Sequence, residues 1–100
     1  MGTTYDVVIE PVADRELEEV PMHERRRVLD AIGELSREPS TISRHRKMLV
    51  GLEPPWDQVG PVWQLRVGDW RVLYDVDEEE HMVLIKAVRY KSRRTTGEIL

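Results

Sequence analysis

The sequence has no cysteine among its 100 residues, which excludes disulfide bonds and thiolate metal sites and is compatible with a reducing cytoplasm. No apolar run approaches the roughly 18 residues that a membrane-spanning helix needs, so no membrane partner is expected. The first residues show neither a basic leader nor an apolar segment, so no secretory signal is predicted. Nucleophile elbows, phosphate-binding glycine loops and metal-ligand spacings are also missing. We therefore expect a cytoplasmic protein without a metal or other cofactor.

The charge is unevenly distributed along what we expect to be a single domain spanning residues 1–100. The net charge of −4 argues against nucleic-acid binding when taken as a total. However, residues 1–38 carry ten acidic and five basic side chains, and residues 77–80 add four acids. Residues 86–97 carry five basic side chains and no acid, and residues 44–47 carry three more. Such a molecule can bind phosphate on one face, although a solvated surface with a partner-binding tail accounts for the same pattern.

The segment 63–77 is the most informative part of the chain, because it predicts two alternating strands joined by a two-residue turn at Gly68 and Asp69. This turn places Val67 opposite Trp70. One face of the hairpin then carries enough apolar surface for a core, namely Trp63, Leu65, Val67, Trp70, Val72 and Tyr74.

The same register places Arg66 opposite Arg71 on the other face of the hairpin. Like charges directly opposite each other destabilise a strand pair, so two arginines at these positions favour an anion-binding role. Phosphate, and hence nucleic acid, is the first hypothesis. The alternative is that one or both arginines pair with Asp69, Asp75 or a glutamate.

The periodicities predict an α+β domain in which two N-terminal helices pack on a small, mostly antiparallel sheet, in the order β-α-α-β-β-β. The predicted elements are a strand at 5–10, helices from Pro11 to before Pro21 and from about 23 to 37, and strands at about 62–67, 70–76 and 82–89. The last strand is apolar on both faces, so it should lie inside the sheet. Residues 39–61 contain four prolines and are predicted to form a long irregular connection, which is often a functional segment.

Element order, length and hairpin together resemble the RelE/ParE superfamily of toxins from type II toxin–antitoxin systems. The resemblance covers nearly the whole chain and depends on residues 5–10, 35–39 (Leu-Ser-Arg-Glu-Pro), 65–74 (Leu-Arg-Val-Gly-Asp-Trp-Arg-Val-Leu-Tyr) and 85–94. It implies the α+β fold described above and, for RelE-type members, a ribosome-dependent endoribonuclease that cuts mRNA in the decoding site. The partners that it implies are a cognate antitoxin, mRNA and the ribosome.

The resemblance also implies roles for individual residues. Arg71 matches the hairpin arginine that stabilises the transition-state phosphate, and Lys91 falls where the family has a C-terminal arginine acting on the leaving group or scissile phosphate. Val62 and Gln64 stand where strong RelE nucleases place lysines, and Gly97 stands where a catalytic tyrosine is expected. These departures keep two alternatives open on the same fold, which are a ParE-like inhibitor of DNA gyrase and a catalytically degenerate antitoxin-binding module.

RNA cleavage by attack of the 2′-hydroxyl needs a base, an acid and cations, but no metal. His45 and Tyr90 are the candidates for proton transfer, and the basic neighbours of His45 favour its neutral, base-competent form. The alternative for His45 is an ordinary exposed loop histidine, and the alternative for Tyr90 is a packing role. For the basic tail, the alternative is docking by an acidic antitoxin. The candidate catalytic residues are Arg71, Lys91 and Arg66, and the candidate RNA- or phosphate-binding residues are Arg44, Arg46, Lys47, Arg89, Arg93 and Arg94.

Overall fold

Residues 4–100, which the computed structural model describes, form five strands and three helices. They are β1 (Asp6–Ile9), α1 (Pro11–Glu18), α2 (Met22–Glu34), β2 (Arg46–Met48), β3 (Trp63–Val67), β4 (Trp70–Asp77), β5 (Met82–Tyr90) and α3 (Thr96–Ile99). The strands form one sheet in the order β1-β5-β4-β3-β2, in which β1 runs parallel to β5 and the other neighbours are antiparallel. Within this range, no helix combines the length and apolar character that crossing a membrane requires.

The predicted α+β fold is confirmed, with two short elements that the prediction missed. The first is β2, which lies inside the connection that was expected to be irregular, and the second is α3 in the basic tail. As predicted, β5 lies inside the sheet, between β1 and β4. At three residues, β2 is too short to show an alternating pattern. The four-residue α3 does begin with a capping box between Thr95 and Glu98, a helix-start signature that the prediction did not use.

The two long helices cover one face of the sheet. Proline suits the first turn of a helix, and α1 begins at Pro11 as predicted. Leu17 of α1 and Val28 and Ile32 of α2 are buried in the main core, as expected for helices predicted from apolar periodicity. Burial of each such side chain contributes about 1.5–3 kcal/mol. Because the helices cover one face of the sheet, a functional site on the sheet must lie on the opposite face.

The hairpin of β3 and β4 has the predicted register. Val67 pairs with Trp70, and Arg66 pairs with Arg71. Gly68 has a φ of 59°, a conformation that glycine adopts without the steric cost of a Cβ atom, at the first central position of the turn. The predicted apolar face packs under the helices, fully for Trp63, Leu65, Val72 and Tyr74 and partly for Val67 and Trp70.

A second, smaller apolar cluster lies on the opposite face of the sheet. It consists of Val62, Leu73 and Ala87, packed against Leu49, Trp56 and Leu100. Next to it, the fully buried carboxylate of Asp75 accepts hydrogen bonds from the backbone N–H groups of Val59 (2.6 Å) and Gly60 (3.0 Å). These contacts hold the connection that precedes β3 against the sheet, whereas the hairpin end of this face stays open as a cleft.

Replacement of Asp75 with alanine is expected to lower the free energy of unfolding by about 1–3 kcal/mol, because buried N–H groups lose their acceptor. Urea unfolding measures this change. The matched control is Asp57→Ala, which alters an exposed carboxylate of the same connection. Equal losses in the two variants would show that Asp75 does not hold the connection in place.

A pH dependence is expected at Glu78, in the turn between β4 and β5. Its carboxylate accepts hydrogen bonds from the hydroxyls of Tyr5 (2.6 Å) and Ser40 (2.9 Å), and these lower the pKa of Glu78 from its ordinary value. A carboxyl with a lowered folded-state pKa stabilises the fold above its unfolded-state pKa, and the contribution is lost as the pH falls through the folded-state pKa.

Glu78→Gln should therefore melt at a lower temperature than the wild type at pH 7. The difference should shrink as the pH falls below the unfolded-state pKa of about 4.3. Thermal melts between pH 7 and pH 3 measure this, with the exposed neighbour substitution Glu79→Gln as the control. A difference that stays constant with pH would contradict the assignment.

Candidate functional site

A cleft of about 250 Å³ opens at the hairpin end of the sheet, on the face that carries Arg66 and Arg71. It is termed the basic cleft here. Six of its nine lining residues carry a permanent positive charge, and none carries a carboxylate. The lining residues are Ser43, Arg44, His45, Arg46, Lys47, Gln64, Arg66, Arg71 and Lys91. Seven of the residues that the sequence nominated are thus brought together in one place.

Arg66 and Arg71 lie side by side on neighbouring strands of this cleft. Burial lowers the pKa of Arg71 from its ordinary value, the positive charge of Arg66 lowers it further, and Asp69 acts in the opposite direction. A guanidinium nevertheless stays protonated in proteins. Its Nη1 donates to the carbonyl oxygens of Gly68 (2.8 Å) and Trp70 (2.9 Å), so the hairpin backbone orients the Arg71 side chain.

Within residues 4–100, the salt bridges are Lys86–Glu10 and Arg89–Glu16, so neither Arg66 nor Arg71 is neutralised by a carboxylate. The alternative, in which one or both arginines form a salt bridge with an acidic side chain, is therefore not observed among these residues. Their adjacent charges are available to an external anion. A bound phosphate would relieve the repulsion between them, and guanidinium groups bind phosphate oxygens in a bidentate way.

The short strand β2 brings the loop residues to the hairpin. Lys47 pairs with Gln64 of β3, and the backbone N–H of Arg66 donates to the carbonyl of His45 at 2.7 Å. The backbone N–H of His45 in turn donates to the Ser43 hydroxyl at 3.3 Å. The imidazole of His45 and the ammonium group of Lys47 are thereby held beside the two hairpin arginines.

Lys91 reaches the same cleft from the other side. Its backbone N–H donates to the carbonyl of Asp69 in the hairpin turn at 2.9 Å. The next residue, Ser92, has a φ of 49°, so the chain turns away directly after Lys91. The end of β5 is thus fixed to the hairpin, and Lys91 adds a cation across the cleft from β2.

Arg46 also lines the cleft, but its guanidinium is already used by the fold. It donates to the carbonyl of Glu38 and to the carbonyl of Thr41, the latter at 3.3 Å. These bonds tie β2 to the segment that follows α2. Arg46 therefore contributes positive charge to the wall of the cleft and positions β2 at the same time.

Tyr90, a predicted candidate for proton transfer, lies outside the cleft. It pairs with Trp70 across β4 and β5 and stacks edge-on against it, with ring centroids 5.2 Å apart. This contact is on the face that the helices cover. The cause is an extra residue in β5, because Tyr74 pairs with Ile85 but Leu73 pairs with Ala87. This β-bulge shifts the alternation of all later residues.

Three predicted RNA-binding residues are also outside the cleft lining. Arg89 pairs with Arg71 across the sheet, but its Nε lies 2.8 Å from the Glu16 carboxylate. The same carboxylate accepts the backbone N–H of Val88 at 3.0 Å. Arg94 donates to a backbone carbonyl in its own turn, and Arg93 is exposed on that turn.

Comparison with known proteins identifies the family. A family model described as the ParE toxin of type II toxin–antitoxin systems, parDE, matches residues 7–95. The chain belongs to this toxin family. The match confirms the superfamily predicted from the hairpin and the element order.

Several solved structures are similar to the toxin. The toxin–antitoxin complex RelBE2 from Mycobacterium tuberculosis is 31% identical over 87% of this chain and 98% of that chain, with a TM-score of 0.67. The archaeal RelE–RelB complex from Pyrococcus horikoshii OT3 is 26% identical over 90% and 98%, with a TM-score of 0.72. A free RelE mutant from E. coli shares the fold at 19% identity over 88% and 84%, with a TM-score of 0.65. No curated protein sequence matches the toxin.

The departures from the RelE nuclease pattern have structural counterparts in the toxin. Val62 belongs to the second apolar cluster, and the buried Gln64 accepts a hydrogen bond from the Thr96 hydroxyl at 3.0 Å. Gly97 lies in α3, where an added Cβ would sit 3.8 Å from the Leu52 side chain. Of these positions, Gln64 docks α3 onto the sheet through Thr96.

Sequence reasoning did not nominate Ser43 or Gln64 as site residues. Gln64 carries a signal, because it alternates with Arg66 on the same face of β3. Ser43 has no such sequence signal, because it reaches the cleft only through the pairing of β2 with β3. Among residues 4–100, no three histidine, aspartate or glutamate side chains converge in a way that would hold a metal ion.

The charge of the basic cleft predicts binding to a phosphodiester backbone. Arg66→Ala and Lys47→Ala should each weaken the binding of a single-stranded RNA oligonucleotide similarly for all sequences. Each should also reduce the slope of log K against log salt by about 0.7, as expected for one lost phosphate contact. Fluorescence anisotropy over a salt series measures both, and Arg15→Ala on the exposed side of α1 is the control. Unchanged slopes would show that RNA does not occupy the cleft.

Proposed function

We propose that this toxin inhibits translation by cleaving mRNA on the ribosome, with the scissile phosphodiester in the basic cleft. The observation that carries the proposal is the cleft itself, in which six permanent cations and one imidazole surround a space without a carboxylate. Such a lining favours a polyanion over a neutral or cationic ligand. Membership of a toxin family supports a toxic activity, and the positive charge of the cleft supports a phosphodiester as its substrate.

The proposed reaction is attack of the ribose 2′-hydroxyl on the adjacent phosphorus. A base takes the proton of the 2′-hydroxyl, and the bond to the 5′-oxygen breaks as that oxygen receives a proton. The products are a 2′,3′-cyclic phosphate and a 5′-hydroxyl end. The reaction therefore needs one proton acceptor, one proton donor and cations that stabilise the extra negative charge at phosphorus.

The cleft holds a side chain for each of these tasks. His45 is the only imidazole in the cleft lining, and we assign it the role of the base because a neutral imidazole nitrogen can accept a proton. Arg71 and Arg66 stabilise the charge that develops on the phosphate oxygens. Lys91, on the opposite wall, donates the proton that the leaving 5′-oxygen receives as its bond to phosphorus breaks. Tyr90 has a packing role in this proposal, because its ring stacks edge-on against Trp70 and lies outside the cleft lining.

A cognate antitoxin is the proposed protein partner. The similar structures from M. tuberculosis and P. horikoshii are toxin–antitoxin complexes. An antitoxin that covers the basic cleft with acidic side chains would neutralise its charge and exclude RNA from it. A cytoplasmic location is part of this proposal, because the proposed target is mRNA on the ribosome.

Inhibition of DNA gyrase is the second candidate function. It is favoured by the family model, which describes ParE toxins, and by the use of Val62 and Gln64 for packing in place of cleft lysines. This candidate needs no proton transfer, so it predicts that His45 is dispensable for toxicity. Ribonuclease activity predicts the opposite.

The decisive experiment is tightly induced expression in a bacterium, with growth recorded and the 5′ ends of cellular mRNA mapped. The wild type should arrest growth and produce new ends within codons. Arg71→Ala and His45→Ala should each lower the yield of these ends by about 100-fold or more, the effect of removing one group that stabilises or activates a transition state. Arg15→Ala should behave as the wild type.

Other outcomes identify the alternatives. Growth arrest without new mRNA ends, but with gyrase-dependent DNA breaks, would replace the nuclease proposal with gyrase inhibition. Absence of arrest, with soluble protein verified, would leave a catalytically degenerate antitoxin-binding module.

A further inference from the structure

A second groove, of about 450 Å³, runs between α2 and β3 and joins the basic cleft. It is termed the helix groove here. His45 and Arg66 are among the four residues that line both spaces. The residues that line the helix groove alone are Arg27, Ala31, Glu34, Leu65, Val67 and Gly68. Its volume lies within the roughly 300–1,000 Å³ of pockets that hold small organic groups.

The helix groove has a cation at one end, a carboxylate at the other and apolar walls between them. Arg27, Ala31 and Glu34 follow at i, i+4 and i+7, so they share the face of α2 that is turned toward β3. The Arg27 guanidinium lies over the hairpin turn, since a Cβ atom at Gly68 would be 3.8 Å from both of its terminal nitrogens. Leu65 of β3 contributes apolar surface.

Glu34 is the one carboxylate among the residues that line either the basic cleft or the helix groove. It takes part in neither salt bridge of residues 4–100. A carboxylate beside a phosphate-binding site repels the RNA backbone, but Glu34 is exposed and can accept a hydrogen bond from another part of a nucleotide. Carboxylates accept hydrogen bonds from the amino groups of nucleobases.

We infer that the helix groove holds the base of the nucleotide next to the phosphodiester in the basic cleft, and that Glu34 selects bases that carry an exocyclic amino group. This inference rests on the proposed function, because one RNA strand must occupy both spaces. Single-stranded RNA is read by splayed bases that stack on apolar or guanidinium surfaces and form hydrogen bonds through their edges. Adenine, cytosine and guanine present an amino group, whereas uracil presents none. Uracil is therefore the disfavoured base at this position.

The test is the base composition around the mapped cleavage sites of the induced toxin. For the wild type, uracil should be depleted at one position beside the cut by about fivefold or more, which is the discrimination that one base contact of about 1 kcal/mol supplies. Glu34→Gln should remove most of this depletion, because an amide both donates and accepts and therefore also serves uracil. The control Asp30→Asn changes an exposed carboxylate of the same helix and should keep the wild-type pattern.

A second pair of variants tests the other end of the helix groove. Arg27→Ala should lower the cleavage yield at all sites and weaken the uracil depletion, because the guanidinium that contacts the base is lost. Arg26→Ala removes the same charge one position earlier, outside both spaces, and should change neither quantity.

The outcomes separate this inference from the proposed function. Cleavage with identical base frequencies in the wild type and Glu34→Gln would overturn the base-binding groove and leave the nuclease intact. Absence of new RNA ends in every variant, including the wild type, would overturn the proposed function and this inference together.

Discussion

The register of the β3–β4 hairpin is the constraint on which the rest of the molecule depends. The turn at Gly68 sets Val67 opposite Trp70, and the main core then forms on that face under the helices. The same register forces Arg66 and Arg71 onto the opposite face, side by side. A slip of one residue would exchange the two faces, removing the core and the cationic pair together. Stability and the candidate site thus share one structural cause.

Arg66 and Arg71 repel each other in the basic cleft, and other contacts of the fold offset this repulsion. Paired arginines destabilise a sheet on their own, and the burial that lowers the pKa of Arg71 adds to this cost. Hydrogen bonds from Arg71 to the turn carbonyls and the apolar core on the other face offset it. A phosphate placed between the guanidinium groups would relieve the repulsion. The affinity for a polyanion that we propose would therefore follow from how the hairpin is built.

The distribution of acidic groups is as informative as that of the basic ones. Glu16 fills the free edge of β5 and holds Arg89 away from the basic cleft, and Glu10 pairs with Lys86. Those carboxylates neutralise basic side chains at the periphery, whereas the centre of the cleft keeps its full positive charge. Glu34 is the exception at the border of the cleft, which is why the adjoining groove is the place to look for base selection.

The local sequence determined the hairpin, its register, the two long helices and the family, because alternation, helical periodicity and turn residues act within a few neighbouring positions. Only the tertiary structure decided which basic residues form the site. Pairing of β2 with β3, a contact between distant segments, brought His45 and Lys47 to Arg66. The bulge in β5 sent Tyr90 to the helix-covered face, although simple alternation from the buried Ile85 places it on the cleft face. Such pairings depend on contacts across the fold, and no single segment of sequence encodes them.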